Sequence, residues 1–283
     1  MALLERCTFP PPGAAVTCAV SGGADSMALL ALAVAAGGDV TAVHVDHGLR
    51  PGSAAEADVV AAAAARFGVR FRAERVAVAP GPNLEARARE ARYRVLPRGV
   101  LTGHTADDQA ETVLLNLLRG AGLDGLAGMR AEGHPILGLR RHETRAVCAA
   151  LGLAVVDDPT NRSPDHRRNR IRHDVLPLLD AVAERDVAAV LARQAHLLRT
   201  DAAALDDLAA GLDPTNAVAL AAAPVAVARR AVRRWLTRDH PPDAATVERV
   251  LAVARGTAVG CDVGGGRHVH RSARRLRLTT VAR

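Results

Sequence analysis

The sequence predicts an α/β fold, with a parallel sheet flanked by helices, followed by a small, mostly helical C-terminal domain. Short apolar runs alternate with longer helical patterns through the first half of the chain. Helices of that length between strands are the crossovers that parallel neighbours require. The segment Gly211-Leu212-Asp213-Pro214 has the composition of a linker. We therefore predict one domain over residues 1–212 and a second over residues 213–283.

The bounds of the elements follow from hydrophobic periodicity and from residues that end helices. Gly68, for example, stands where a left-handed residue would close the second helix. In the first half the predicted strands cover 14–20, 40–45, 69–76 and 99–103, and the helices cover 25–36, 54–67, 84–96 and 106–118. Beyond a glycine-rich segment, helices are predicted over 143–151, 171–180, 187–208, 225–237 and 244–254, and a hairpin turns at 264–266.

Composition limits the class of protein. The chain has 283 residues, of which 49% are hydrophobic, and this suffices for a substantial core. No apolar run reaches the roughly 18 residues that a membrane span needs, and residues 1–6 lack the pattern of a signal peptide. We expect a cytoplasmic protein with no membrane partner. The sequence leaves the oligomeric state open, a homodimer included.

The charge of the chain and its cysteines limit which macromolecules and which metal groups it is expected to bind. The net charge is +7, and all 37 basic residues other than histidine are arginines. Arginine presents a planar fork that fits phosphates and stacks on bases, so the basic excess favours a nucleic-acid partner. Zinc and iron–sulfur sites need clustered ligands. The four cysteines are scattered, so we expect neither group: they are Cys7, Cys18, Cys148 and Cys261.

The loop after the first predicted strand has the composition of an anion site. It comprises Ser21, Gly22, Gly23, Ala24, Asp25 and Ser26. The glycines let the backbone approach a polyphosphate, and the next helix directs its free N–H groups at the loop. An acid such as Asp25 beside phosphates indicates Mg²⁺. The P-loop of GTPases needs a lysine, which this chain lacks.

These residues resemble the PP-loop of the ATP pyrophosphatase superfamily. The resemblance implies an adenine nucleotide alpha hydrolase-like fold. It also implies cleavage of ATP between the α and β phosphates, with an adenylated oxygen as intermediate.

Further motifs narrow the resemblance. One closes the second predicted strand, Val43-His44-Val45-Asp46-His47-Gly48-Leu49-Arg50, and another closes the fourth, Gly103-His104-Thr105-Ala106-Asp107-Asp108-Gln109-Ala110-Glu111-Thr112. They are followed by Arg119-Gly120-Ala121-Gly122, Asp158-Pro159-Thr160-Asn161 and Arg168-Asn169-Arg170-Ile171-Arg172. Together, over roughly residues 14–180, they resemble the tRNA(Ile)-lysidine synthetases. His134 departs from the pattern, because an arginine is expected before Pro135.

The resemblance implies a specific ligase reaction. The C2 oxygen of the wobble cytidine in the CAU anticodon of tRNA(Ile) is adenylated with ATP, and the amine of free lysine then displaces AMP to give lysidine. It further implies that Asp46 and His47 lie beside the nucleotide. A metal site at His44, Asp46 and His47 is disfavoured, because successive residues of a strand point to opposite faces and the three cannot all share one.

A group of carboxylates is expected to serve this chemistry. Asp108 and Glu111 are three residues apart and share one helix face. With Asp107 they can hold Mg²⁺, the lysine ammonium or both, and one of them is a candidate general base. Arg119, two turns beyond Glu111, is a candidate phosphate contact. The predicted catalytic residues are Asp25, Asp108, Glu111 and Arg119, and those for lysine or tRNA are Asp107, Asn161, Arg168, Asn169, Arg170 and Arg172.

The C-terminal domain is predicted to hold tRNA electrostatically, because its arginines are clustered. The first cluster comprises Arg229, Arg230, Arg233, Arg234 and Arg238, and the second comprises Arg267, Arg271, Arg274, Arg275 and Arg277. The alternative is a solvated face on a basic protein.

Three other functions compete with the ligase. A 2-thiolating tRNA enzyme would carry extra cysteines, commonly as C-x-x-C, which are absent here. An ammonia- or glutamine-dependent synthetase would need a glutaminase domain or an external ammonia route. A catalytically inactive nucleotide-sensing or RNA-binding module is disfavoured by Asp25, Asp108 and Glu111.

Overall fold

The structure is a computed structural model that describes residues 2–48, 54–78, 81, 84–157, 163 and 166–280. Within these ranges the side chains of residues 54 and 84–86 are not described. The motif Asp158-Pro159-Thr160-Asn161, and with it the predicted site residue Asn161, lies outside the described residues.

The first part of the chain forms a four-stranded sheet of order β3-β2-β1-β4. All of its strand pairs are parallel, as the alternating sequence pattern predicted. Its strands are β1 (Ala15–Ala19), β2 (Asp39–Asp46), β3 (Arg70–Arg75) and β4 (Leu101–Thr102), and β4 is shorter than predicted. Its helices are α1 (Ala24–Ala35), α2 (Ala54–Arg66), α3 (Leu84–Val95) and α4 (Ala106–Leu118).

The core beneath this sheet explains why α1 forms where it does. Nearly every side chain of α1 is apolar, and a helix that is hydrophobic all round is stable only when covered on all sides. Here α1 is covered by β1, β2, α2 and a later helix, α6 (Arg141–Ala150). Leu29 and Leu30 have no exposed surface. The buried position of α1 fixes the loop that precedes it.

The carboxyl ends of β1 and β2 are tied together. The backbone N–H of Val20 donates to the carbonyl of Val43 (2.8 Å), and Nδ1 of buried His44 lies 2.9 Å from the carbonyl oxygen of Val20. His44 therefore has a structural role, in which it links β2 to the carboxyl end of β1. The motif loops after β1, β2 and β4 consequently meet at one edge, where open α/β sheets bind their ligands.

A second group of helices follows the sheet. It comprises α5 (Leu123–Leu126), α6, α7 (Arg167–Arg170), a π-helical turn (Ile171–Val175), α8 (Leu176–Ala183) and α9 (Val187–Ala210). Ile171, Leu176 and Ala188 pack with Ala110 and Leu114 of α4 in a separate small core. This packing places the arginines of α7 and of the π-helical turn against α4. The short helix α5 was not predicted.

Packing divides the chain into two compact units, residues 1–196 and 197–283. The second unit contains the end of α9, α10 (Ala217–Ala222), α11 (Val225–Leu236), α12 (Ala244–Arg255) and an antiparallel sheet of β5 (Gly260–Gly264), β6 (Arg267–Ser272) and β7 (Arg275–Thr280). The predicted hairpin is β5–β6, whereas β7 was not predicted. The predicted boundary at residue 212 remains a prediction, although Ala209 at the end of α9 already packs in the second core.

In the described part of the chain, no helix combines the length and the hydropathy needed to cross a membrane.

Gly103 gives a test of how closely β4 approaches the loop after β1. A Cβ atom at Gly103 would lie 2.7 Å from the backbone oxygen of Asp25 and 2.9 Å from Cα of Ser26. Because both neighbours are backbone atoms, we expect Gly103→Ala to lower the free energy of unfolding by about 1–3 kcal/mol, measured by urea denaturation. The control is Gly122→Ala, where a Cβ meets nothing within 4 Å. Equal effects of the two substitutions would contradict the prediction.

Candidate active site

A cleft of about 990 Å³ opens at the carboxyl edge of the parallel sheet. The loop after β1, the end of β2, the start of α4 and the helix α6 all contribute to its walls. The predicted site residues that line it are Ser21, Gly23, Ala24, Asp25, Ser26, Asp46, His47, Asp108 and Arg172.

The loop at the floor of the cleft is held by its own serines. The hydroxyl of Ser26 accepts from the backbone N–H of Ser21 (3.1 Å) and donates to the carbonyl of Gly23 (2.8 Å). Gly22 has φ +87°, a left-handed conformation that favours glycine, and its carbonyl accepts from the backbone N–H of Val156 (2.9 Å). The loop is therefore shaped before any ligand binds, with the N-terminus of α1 directed at it.

Asp25 lies at the first turn of α1, against α6. One carboxylate oxygen accepts from the hydroxyl of Thr144, and the other lies 3.5 Å from Nε of Arg141. Burial raises the pKa of Asp25, and the nearby charge of Asp108 adds to the rise. An additional positive charge near Asp25 would therefore stabilise its ionised form.

Next to Asp25 is a buried group that we call the carboxylate–arginine cluster: Asp108 and Glu111 with Arg141, Arg168 and Arg172. Glu111 has no exposed surface and accepts from all three arginines. The distances to its oxygens are 3.2 Å from Nη2 of Arg141, 2.6 Å from Nε of Arg168 and 2.7 Å from Nε of Arg172. The cluster thus sets two carboxylates against three guanidinium groups.

Local structure of α4 positions the acids of the cluster. Asp108 closes the N-terminal turn: its Oδ2 accepts from the backbone N–H and the hydroxyl of Thr105, both at 2.9 Å. Its Oδ1 accepts from Arg141 (3.1 Å) and Arg168 (3.2 Å). Burial acts to raise the pKa of Asp108, but Arg141 and Arg168 outweigh it and hold the pKa below its usual range. Asp108 is therefore ionised at neutral pH.

Asp107 faces a different partner. Its carboxylate accepts from Nε (3.1 Å) and Nη2 (3.0 Å) of Arg140 and from the backbone N–H of Arg141 (2.7 Å). It joins the start of α4 to the start of α6, and this connection brings Arg141 to the cluster. Burial raises the pKa of Asp107, but its bonds to Arg140 and Arg141 lower it further, so the net shift is downward. Its role in binding lysine or tRNA remains a prediction.

The other predicted residues are dispersed. Arg119 is exposed at the C-terminal end of α4 and is not among the described residues that line the cleft. Arg170 is exposed on α7, and the buried Asn169 donates from Nδ2 to the carbonyl of Ser163 (2.8 Å). The oxygen Oδ1 of Asp46 accepts from the backbone N–H of Gly48 (2.8 Å). The assigned roles of these residues remain predictions.

Sequence reasoning missed the contribution of α6. Arg141 and Thr144 both reach Asp25, yet they lie 116 and 119 residues away along the chain. The available signal was local: a basic residue at the first turn of a helix and a hydroxyl three residues later share one face. Sequence reasoning also assigned no role to His104, which lines the cleft.

Fold and site together define a PP-loop ATP-binding protein, and residues 3–179 match the PP-loop domain family. A solved structure, the U34-tRNA thiolase NcsA from Methanococcus maripaludis with its 4Fe-4S cluster, aligns with a TM-score of 0.55. The alignment covers 70% of this chain and 78% of the thiolase chain at 17% identity, so the similarity concerns the fold alone.

Sequence relatives are more specific. The tRNA(Ile)-lysidine synthase of Nocardia farcinica is 48% identical over 90% of this chain and 87% of its own length. That of Mycobacterium tuberculosis is 42% identical over 88% and 86%. Residues 216–277 match the TilS substrate binding domain. The chain belongs to the tRNA(Ile)-lysidine synthase family, as its motifs predicted, and is an ATP-dependent ligase.

The bonds of Asp107 predict a pH-dependent contribution to stability. Because its pKa is lower in the folded protein than the value of about 3.9 in an unfolded chain, ionised Asp107 stabilises the fold above that pH, and this contribution is lost as the pH falls. We expect Asp107→Asn to lower the free energy of unfolding by about 1–3 kcal/mol at pH 7. The difference from the wild type should narrow below about pH 4, measured by urea denaturation.

The matched control is Asp58→Asn on α2, an exposed carboxylate, which should leave stability unchanged at both pH values. A difference for Asp107→Asn that stays constant with pH would contradict the electrostatic assignment.

Proposed function

We propose that this chain adenylates the C2 oxygen of the wobble cytidine in the CAU anticodon of tRNA(Ile). The amine of free lysine then displaces AMP and forms lysidine. Family membership supports the reaction. The observation that carries it is the cleft, in which a phosphate-binding loop adjoins the carboxylate–arginine cluster. A nucleotide and an amine substrate can therefore meet in one site.

ATP is proposed to bind with its phosphates on the loop from Ser21 to Ser26. Free N–H groups at the start of α1 and the loop backbone would hold the anion. His47 supports a nucleotide contact at the end of β2: within the described residues, its Nδ1 is buried and makes no hydrogen bond. Such an orphaned atom costs free energy unless a ligand or water satisfies it.

Asp25 fits a magnesium ion shared with the triphosphate. Within the described part of the chain, Oδ2 of Asp25 has one long contact, with Nε of Arg141 (3.5 Å), and the carboxyl group lines the cleft. No group of three or more acidic, histidine or cysteine side chains surrounds a metal position among the described residues. Mg²⁺ commonly takes one or two carboxylates plus phosphate oxygens, so a single acid is compatible with it. When bound, the ion would balance the phosphate charge.

Lysine is proposed to bind through Asp108. Asp108 lines the cleft, whereas Glu111 is fully buried and engaged by three arginines. The lysine ammonium would replace a guanidinium group at Oδ1 of Asp108, an exchange of one cation for another. Glu111 would then act by holding Arg141 and Arg172, which line the cleft, toward the anionic phosphates.

The role of Asp25 is tested by Asp25→Ala. We expect tRNA-dependent exchange of pyrophosphate into ATP to fall by at least ~100-fold, because charge balance on the triphosphate is lost. Near-normal exchange in this variant would contradict the assignment.

Asp108→Asn serves as the comparison. If Asp108 binds lysine, this variant should keep most of the exchange activity and raise the KM for lysine, measured with labelled lysine and tRNA(Ile). Loss of exchange equal to that of Asp25→Ala would instead mean that both acids serve the nucleotide.

The second unit is proposed to hold the tRNA through a subset of its arginines. Three members of the predicted set are paired with carboxylates. Nε of Arg229 lies 2.5 Å from Glu248, Nε of Arg230 lies 2.6 Å from Asp206, and Nη1 of Arg275 lies 2.6 Å from Asp213. Arg233, Arg238 and Arg277 are exposed. Among the described residues, the exposed arginines that lack a carboxylate partner are the better candidates for phosphate contact, because a paired arginine must first leave its carboxylate.

Salt dependence tests this proposal. We expect the double variant Arg233→Ala, Arg238→Ala to flatten the slope of log affinity for tRNA against log salt by about 1–2, since each phosphate contact contributes about 0.7–0.9. Arg229→Ala, which removes a paired arginine, should change the slope less. Filter binding over a salt series measures both. An unchanged slope in the double variant would mean that these arginines contact no phosphate.

A further inference from the structure

Two histidines share one hydroxyl beside the cleft. Thr102, the last residue of β4, is buried, and its Oγ1 lies 2.8 Å from Nδ1 of His104 and 2.6 Å from Nδ1 of His134. The two imidazole rings meet edge to face with centroids 4.6 Å apart. His104 lines the cleft beside Asp108. The three side chains thus form a continuous hydrogen-bonded chain that begins at the cleft.

The number of protons on the hydroxyl limits the possible directions of these hydrogen bonds. A hydroxyl donates one hydrogen bond and accepts others, so Thr102 can donate to only one of the imidazoles. The third neighbour, the carbonyl of Gly133, is 3.3 Å from the hydroxyl and already accepts from the backbone N–H of Thr102 at 2.8 Å. The two imidazoles are therefore its main partners. Which imidazole accepts from the hydroxyl is set by the tautomers of the two rings.

We propose that Thr102 and His134 are positioning residues that fix the tautomer of His104. Thr102 donates to Nδ1 of His134 and accepts from the Nδ1–H of His104. Nε2 of His104 then keeps its lone pair for the cleft. The inference rests on the proposed function, because its role is to receive a proton from the lysine amine.

The environment supports this arrangement. Burial lowers the pKa of His134, with a further contribution from Arg89, so His134 is neutral and its Nδ1 can accept. Burial also lowers the pKa of His104 to about 4, which leaves its ring neutral at physiological pH. Asp108, the alternative base, is held as an acceptor by Arg141 and Arg168. The neutral imidazole of His104 is thus available as a proton acceptor beside Asp108.

The proton transfer balances as follows. The lysine ammonium first loses one proton to solvent, so that a neutral amine with a free electron pair attacks C2. As the nitrogen–C2 bond forms, the C2–oxygen bond breaks, and AMP leaves with the electron pair of that bond. The surplus proton on the lysine nitrogen passes to Nε2 of His104. The Nδ1 proton of His104 passes to Thr102, and the hydroxyl proton of Thr102 passes to Nδ1 of His134. The positive charge therefore ends on His134, and His134 releases a proton to solvent after turnover.

The test compares Thr102→Val, His134→Phe and Thr102→Ser. We expect the first two to lower kcat for lysine transfer by about 10–100-fold, within the usual contribution of general base catalysis. The KM for lysine and tRNA-dependent pyrophosphate exchange should stay within ~3-fold of the wild type, because adenylation does not need this base. Thr102→Ser, which keeps the hydroxyl, should restore most of kcat.

A second measurement does not depend on activity. Nitrogen NMR shifts of His104 distinguish its tautomers, and we expect a protonated Nδ1 in the wild type and a mixture in Thr102→Val. Wild-type kcat in both Thr102→Val and His134→Phe would overturn the proposal, as would a parallel fall in exchange or a protonated Nε2 in the wild type. Absence of pyrophosphate exchange in the wild type would instead contradict the proposed function.

Discussion

The site depends on one buried carboxylate, Glu111. A carboxyl group without exposed surface is costly to bury unless it is paired, and Glu111 is paired with arginines from two other parts of the chain. Arg141 comes from α6, while Arg168 comes from α7 and Arg172 from the π-helical turn. The pairing therefore holds two later helical segments against α4, and with them two walls of the cleft.

The sheet and the cluster have complementary roles. The parallel sheet brings the loops after β1, β2 and β4 to one edge, and α1 fixes the nucleotide loop through its burial. The cluster supplies the charges. Because each charged group of the cluster already has an ionic partner, substrates enter by exchanging ionic partners. Desolvation of an unpaired charge is thereby avoided at each step.

Much of the first unit could be predicted because its signals are local. The loop from Ser21 to Ser26, the strand–helix alternation and the shared face of Asp108 and Glu111 all lie within short windows. Arg141 and Thr144 could not be assigned, since only the tertiary fold brings α6 to Asp25. The same holds for His134, whose partner Thr102 lies 32 residues earlier. The sequence predicted one continuous basic surface on α11. It did not show that Arg229 and Arg230 are paired with Glu248 and Asp206, which lie elsewhere along the chain.

The cations of the cluster are all arginines, and the chain contains no lysine. The reaction creates an electrophile that a primary amine attacks. If lysines lined the site, their own amines could attack this electrophile in place of the substrate. A guanidinium group stays protonated under all ordinary conditions and is a poor nucleophile. The arginines of the cluster thus supply positive charge that is chemically inert toward the adenylate, and self-modification by a lysine side chain is excluded.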